Sequence, residues 1–216
     1  MRRAVGLATL LLSVTACGPT AQEERVLAYK EDGLTLFQHG SYAAARDSFQ
    51  AALRLTPCDP KLLFYLAQCQ ERLGQAAKAE ESYRQSLQLK PNDSDCRHAL
   101  DVLLVNEKRL ADAHTMVNDW LKSAPNLPAA LAEDGWLLTQ EGDPVNGRTR
   151  LFQAFSRDMR DGTTWTRMGE VFEKMGQRER ALYAYEQAVR YDPHQTEAAQ
   201  RMSFLRAEGV GRPHPD

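Results

Sequence analysis

Three residue types in this chain recur on one spacing. Proline stands at positions 57, 91, 125 and 193, at intervals of 34, 34 and 68. Glycine at 40, 74, 142 and 176 and alanine at 45, 79, 113 and 181 keep the same 34-residue interval. A period of this size marks an array of small units, none of which can bury its apolar face alone. It divides the chain, without insertion, into 26–59, 60–93, 94–127, 128–161 and 162–195. Inside each unit the apolar residues follow helical spacing. In the fifth, Trp165, Met168, Gly169 and Phe172 stand at i, i+3, i+4 and i+7, and Ala181, Tyr185 and Ala188 mark the facing side of a second helix. The mid-unit glycines suit the left-handed residue that ends a helix, and the late prolines stop the second helix. Ser41 and Asp143 follow two of these glycines as candidate N-caps, and Pro144 fits a first helical position.

Period and residue types together resemble the tetratricopeptide repeat. The last unit carries the family pattern at Trp165, Met168, Gly169, Phe172, Gly176, Ala181, Tyr185, Ala188 and Pro193. The first carries it at Tyr29, Gly33, Leu36, Gly40, Ala45, Phe49, Ala52 and Pro57. The resemblance implies an all-α, right-handed solenoid of five helix-turn-helix repeats. Residues 196–208, with Ala198, Met202 and Leu205 on one face, would form a capping helix, and 209–216 a flexible tail. The third unit departs from the pattern at Lys108, where glycine is usual, and at Trp120, where a small residue is usual. The fourth has Gly147 for the alanine and Met159 for the proline. A glycine inside a helix costs ~1 kcal/mol relative to alanine, so the fourth unit is expected to be the loosest.

The first seventeen residues read as an address. Arg2 and Arg3 precede a nearly apolar stretch from Ala4 to Thr15. Twelve helical residues span roughly 18 Å, short of the ~30 Å hydrocarbon core of a bilayer, but they suit a secretory signal. The stretch ends Val14-Thr15-Ala16-Cys17, which resembles the lipobox of bacterial lipoproteins. The alternative is an ordinary signal peptide that happens to contain a cysteine. The lipobox reading makes Cys17 the acylated N-terminus of a lipid-anchored envelope protein. Gly18 after the cysteine resembles outer-membrane sorting, with the body facing the periplasm. Residues 18–25 are expected to be a tether of at most ~28 Å. Cys58, Cys69 and Cys96 cannot all pair with one another, and are expected to be small packing residues.

Composition argues against several functions. A net charge of -2 with interspersed signs lacks the basic stripe of a nucleic-acid binder. There is no GxSxG, HExxH, phosphate-cradling glycine loop or CxxC. Cys96 and His98 lack a second ligand pair at metal-site spacing, and the many carboxylates read as solvated helix faces. The sequence therefore leads to the expectation of a non-enzyme with no cofactor, no metal and no small-molecule substrate.

In the family, four positions of each first helix face the concave surface. Carried over, these are Leu27, Lys30, Leu34 and Phe37; Lys61, Phe64, Gln68 and Glu71; Asp95, His98, Val102 and Val105; Ala129, Ala132, Trp136 and Thr139; and Thr163, Thr166, Glu170 and Glu173. The family's clamp for chaperone tails is not reproduced: Lys30 matches, but Leu34 and Tyr65 replace the asparagines. Instead Leu34, Phe37, Phe64, Val102, Val105 and Trp136 make an apolar groove for a protein partner, with Phe64, Val102 and Trp136 as anchors. The alternative is that several of them pack between repeats. Small lipoproteins of this build resemble pilus and secretion assembly factors of the pilotin and tight-adherence type. The other readings are an adaptor for cell-wall hydrolases or outer-membrane protein assembly, and a docking subunit of a larger enzyme or sensory complex.

Overall fold

The computed structural model describes residues 20–211. The signal sequence, Cys17 and the last five residues of the tail lie outside them. Eleven helices and no strand occur among the described residues. They are α1 (Ala21–Gln38), α2 (Tyr42–Leu55), α3 (Pro60–Arg72), α4 (Ala76–Leu89), α5 (Ser94–Asn106), α6 (Leu110–Ser123), α7 (Pro128–Gln140), α8 (Pro144–Phe155), α9 (Gly162–Lys174), α10 (Arg178–Tyr191) and α11 (Thr196–Ala207). Two helices fall in each 34-residue unit, with α11 added at the end. The fold is the all-α repeat array that the period implies.

Local chemistry sets the helix ends. Asp59, Asp93 and Asp161 cap α3, α5 and α9 through side-chain bonds to free backbone N–H groups. These aspartates also keep the repeat spacing. Asp143 caps α8, whereas Ser41 occupies the cap position of α2 without a side-chain bond. The start of α1 differs from the expected tether. Thr20 and Glu23 form a reciprocal capping box, so 21–25 is helical. These polar residues cover no core, so hydrophobic periodicity does not mark them as helix.

Four turns within repeats pass through Gly40, Gly74, Gly142 and Gly176 at φ between 72° and 93°. The third repeat makes the same turn with Lys108 at φ 61°. A side chain in that conformation costs roughly 1–2 kcal/mol, while glycine loses more chain entropy on folding. Lys108→Gly is therefore expected to stabilise the chain by about 0.5–1 kcal/mol. A urea denaturation curve checks this; a lower midpoint refutes it.

Odd-numbered helices form the inner layer, where α3 meets α5, α5 meets α7, α7 meets α9 and α9 meets α11. Each even-numbered helix from α2 to α10 packs between the odd helices on either side of it in the chain. Within repeats, small residues permit the crossing: a Cβ on Gly33 would meet the Phe49 ring at 2.7 Å, and one on Gly169 the Tyr185 ring at 2.5 Å. The fourth repeat corrects the expectation of looseness. A Cβ on Gly135 would come 2.7 Å from the Gly147 carbonyl, so α7 and α8 cross backbone to backbone. Gly147 is required by that approach, and its low helix propensity is offset by contact. Trp120, the other departure, is fully buried against Ala129 and Ala130 at the junction of the third and fourth repeats.

The cysteines divide. Cys69 and Cys96 are core residues, and burial pushes their thiols up to about 11 and about 12. Cys58 is exposed in the turn before α3, so the packing role expected for it does not hold. All three are free thiols.

Candidate functional site

The inner layer has two unlike halves. From α1 to α5 it carries a row of apolar side chains that is partly open. Leu34 and Phe37 lie over the first core cluster, which includes Phe49 and Leu62, and stay half-buried. Phe64, Val102 and Val105 lie in the same way over the central cluster around Tyr83 and Leu104. Phe64 also touches the rings of Tyr65 and Tyr83, at centroid distances of 5.7 and 6.0 Å. These five side chains are thus held by the fold on one side and reach solvent on the other. Leu27, from the same set of positions, is 54% exposed.

From α7 onward the surface closes. Ala129, Ala132, Thr139, Thr163 and Thr166 are all buried, although the repeat positions place them on the groove. Trp136 is buried too, at 5% exposure, within the central cluster and edge-on to His98 at 4.7 Å. The expectation that Trp136 is an exposed anchor therefore does not hold. The close approach of α5, α7 and α9 covers a ring that in an isolated repeat would face the groove. Trp136→Leu should lower stability by on the order of 2 kcal/mol through the cavity left behind. An unchanged melting temperature would return Trp136 to the groove surface. Glu71 and Glu173, also groove positions, accept hydrogen bonds from the hydroxyls of Tyr83 and Tyr185, each at 2.9 Å.

What fills the closed half is a knot of charge. Glu133 of α7, 1% exposed, bonds His98 Nδ1 at 2.7 Å and accepts from Arg167 Nε at 3.2 Å. Arg167 of α9, 3% exposed, also donates through Nη1 to Glu170 at 2.5 Å and to Glu197 of α11 at 3.1 Å. His98 Nε2 lies 3.9 Å from Glu197 Oε2. Four inner helices are thus joined across three repeats and the cap. Burial raises the Glu133 carboxyl, but the charges of His98 and Arg167 and their hydrogen bonds outweigh it and hold the group below its usual range. Burial and Arg167 push the His98 imidazole down, and Glu133 outweighs both, so its pKa is raised. Glu170 is raised, by burial first. Asp101, one turn beyond His98 on α5, is fully buried with no partner for either carboxylate oxygen. Burial and the nearby Glu133 charge raise it well above an ordinary aspartate.

The sequence reading missed this knot because it weighed carboxylates as solvated faces and His98 as incidental. One signal was available. Asp101 stands at the repeat position held elsewhere by Gly33, Ala67, Gly135 and Gly169, the slot where helices of a repeat touch. A carboxylate there is buried by the repeat itself. No signal in one repeat could show that His98, Glu133 and Arg167 meet, since their meeting depends on how tightly successive repeats wind.

Known proteins place the fold. Residues 31–94 and residues 162–195 each match the tetratricopeptide repeat family. A curated relative, the photosystem I assembly protein Ycf3 of Cyanophora paradoxa, is 35% identical over 88 residues, 39% of this chain. The match spans 50% of that relative's length. Among solved structures, a thermophilic tetratricopeptide-repeat protein of Thermus thermophilus superposes with a TM-score of 0.58 at 21% identity, covering 84% of this chain and 99% of its own. A fragment of MamA from Desulfovibrio magneticus RS-1 gives a TM-score of 0.49 at 16% identity, covering 82% of this chain and 99% of that one.

Proposed function

We propose that this chain, which has the tetratricopeptide-repeat fold, is a protein-interaction scaffold that receives a peptide or helix of its partner in the open groove along α1, α3 and α5. The observation that carries this reading is the row of half-buried apolar side chains Leu34, Phe37, Phe64, Val102 and Val105. They rest on the core, so they are held rigidly, and each keeps a solvent face that a partner can cover. Rigid, pre-placed apolar anchors bind at low entropic cost. The groove suits an amphipathic helix or extended segment, with Phe64 and Val102 as its anchors.

The finer proposal is that Cys17 is acylated and holds this scaffold at the cell envelope, with the body at the periplasmic face of the outer membrane. Its support is the short apolar run ending Val14-Thr15-Ala16-Cys17. None of the described helices is long and apolar enough to cross a membrane; the anchor proposed is the acyl group on Cys17. The process served is assembly of a pilus or secretion machine. That a curated relative is itself an assembly protein agrees with this in kind.

A photo-crosslinking residue at Phe37 or Val105, in the chain expressed in its own host, tests the groove. Both positions should trap the same protein, and Val145 on α8, 57% exposed, should not. Equal trapping from Val145, or none from the groove, refutes the reading. Phe64→Ala should weaken partner binding about thirtyfold, the usual cost of losing an anchor. Mass spectrometry of membrane-extracted chain decides the lipid: an unmodified Cys17 ends that proposal.

A further inference from the structure

The charge knot has the donors of a metal site, and the groove reading does not use them. His98 on α5, Glu170 on α9 and Glu197 on α11 each offer one ligand atom, and the three atoms lie within 4.8 Å of one another. They come from the third repeat, the fifth repeat and the capping helix. We propose that His98 Nε2 and the carboxylates of Glu170 and Glu197 bind a first-row divalent cation, Zn²⁺ among them, that clasps the C-terminal half of the array closed.

Three observations carry this. The first is the orientation of the imidazole. Glu133, itself buried, takes the Nδ1 side at 2.7 Å, which fixes the ring and leaves Nε2 directed toward Glu197, beyond hydrogen-bond distance at 3.9 Å. A carboxylate behind a histidine is the usual arrangement for orienting a metal-ligating ring and raising its basicity. The second is donor type. One imidazole nitrogen with two carboxylates suits zinc and its first-row neighbours, whereas calcium and magnesium favour all-oxygen sites.

The third is charge. Glu133, Glu170 and Glu197 share one guanidinium, that of Arg167, and nearby Asp101, on which Arg97 acts as well as Arg167, is fully buried with both oxygens unpartnered. Such an excess of negative charge in a largely buried site favours uptake of protons or of a cation. One divalent ion together with Arg167 balances the three glutamates. Arg167 does not exclude the ion: each carboxylate has lone pairs for both a guanidinium hydrogen and a metal. Two ligand atoms bound at about 2.1 Å lie at most ~4.2 Å apart, so closure needs side-chain torsions only. The imidazole binds through the Nε2 lone pair, so protons compete with the ion for it. Asp95, Glu133, Arg167, Glu170 and Glu197 are the charged groups that act on it.

The test uses the full-length chain, purified without a histidine tag and stripped with chelator, titrated with Zn²⁺ alone by calorimetry and by thermal melting. One ion per chain and a raised melting temperature are expected. Glu197 is half-exposed, so Glu197→Gln should fold normally and lose at least tenfold in affinity. Glu133→Gln should lose roughly 10- to 100-fold, the range for a residue behind a ligand. Cys58→Ser controls for the exposed thiol and should bind as the parent does. Absence of saturable binding overturns the proposal. So does full affinity in Glu197→Gln, or loss of binding in Cys58→Ser, since either places the ion elsewhere.

Discussion

Arg167→Met is expected to damage the fold severely at neutral pH. The guanidinium is buried and contacts Glu133, Glu170 and Glu197, which come from three different helices. Methionine keeps much of the volume but removes the charge. Breaking a buried pair from one side leaves the other side uncompensated and costs about 3–5 kcal/mol. In metal-free chain the melting temperature should fall by roughly 10 °C, at 2–4 °C per kcal/mol for a domain this size. The loss should shrink in acid. Without Arg167, Glu170, already raised by burial, sits further above its unfolded value, so the folded chain binds that proton more tightly than the unfolded one. Stability then increases as pH falls through that raised value. Intact chain should behave differently on account of Glu133, whose folded pKa is lowered: its contribution is present above the unfolded value and is lost as pH falls through the folded one. Urea midpoints for both proteins at pH 7 and pH 5 check this. A deficit that stays constant with pH would mean that Arg167 acts through packing and not through charge.

Trp120→Ala should cost about 3–5 kcal/mol as well, through a large unfilled cavity. The ring is 1% exposed, with the Arg97 guanidinium 4.4 Å from its centroid, and its indole N–H donates to Asn92 at 3.0 Å. It joins Ala129 and Ala130 to the third repeat. Because an array is held by nearest-neighbour contacts, losing this junction should do more than lower the midpoint. Unfolding followed by circular dichroism in urea should separate into two steps, one for each side of the third-to-fourth boundary. A single transition at the parent's midpoint would show that the ring is dispensable there.

The sequence by itself determined the local and periodic features. The 34-residue interval of proline, glycine and alanine set the helix boundaries within the repeats because each helix end is local chemistry: an aspartate cap, a left-handed residue, a proline. Gly33 and Gly169 were legible as contact residues because the pair they enter lies within one repeat. The half-buried placement of the five apolar residues from Leu34 to Val105 was legible for the same reason, since repeat position fixes the face of the inner helix. What only tertiary structure decided is what depends on the winding between repeats. Trp136 became core, Gly147 became a required point of contact, and His98, Glu133, Arg167, Glu170 and Glu197 came together from helices up to 99 positions apart. The rise and rotation from one repeat to the next sum many weak side-chain contacts. A small change in each turns an open concave surface into a closed one, and no single repeat encodes that sum.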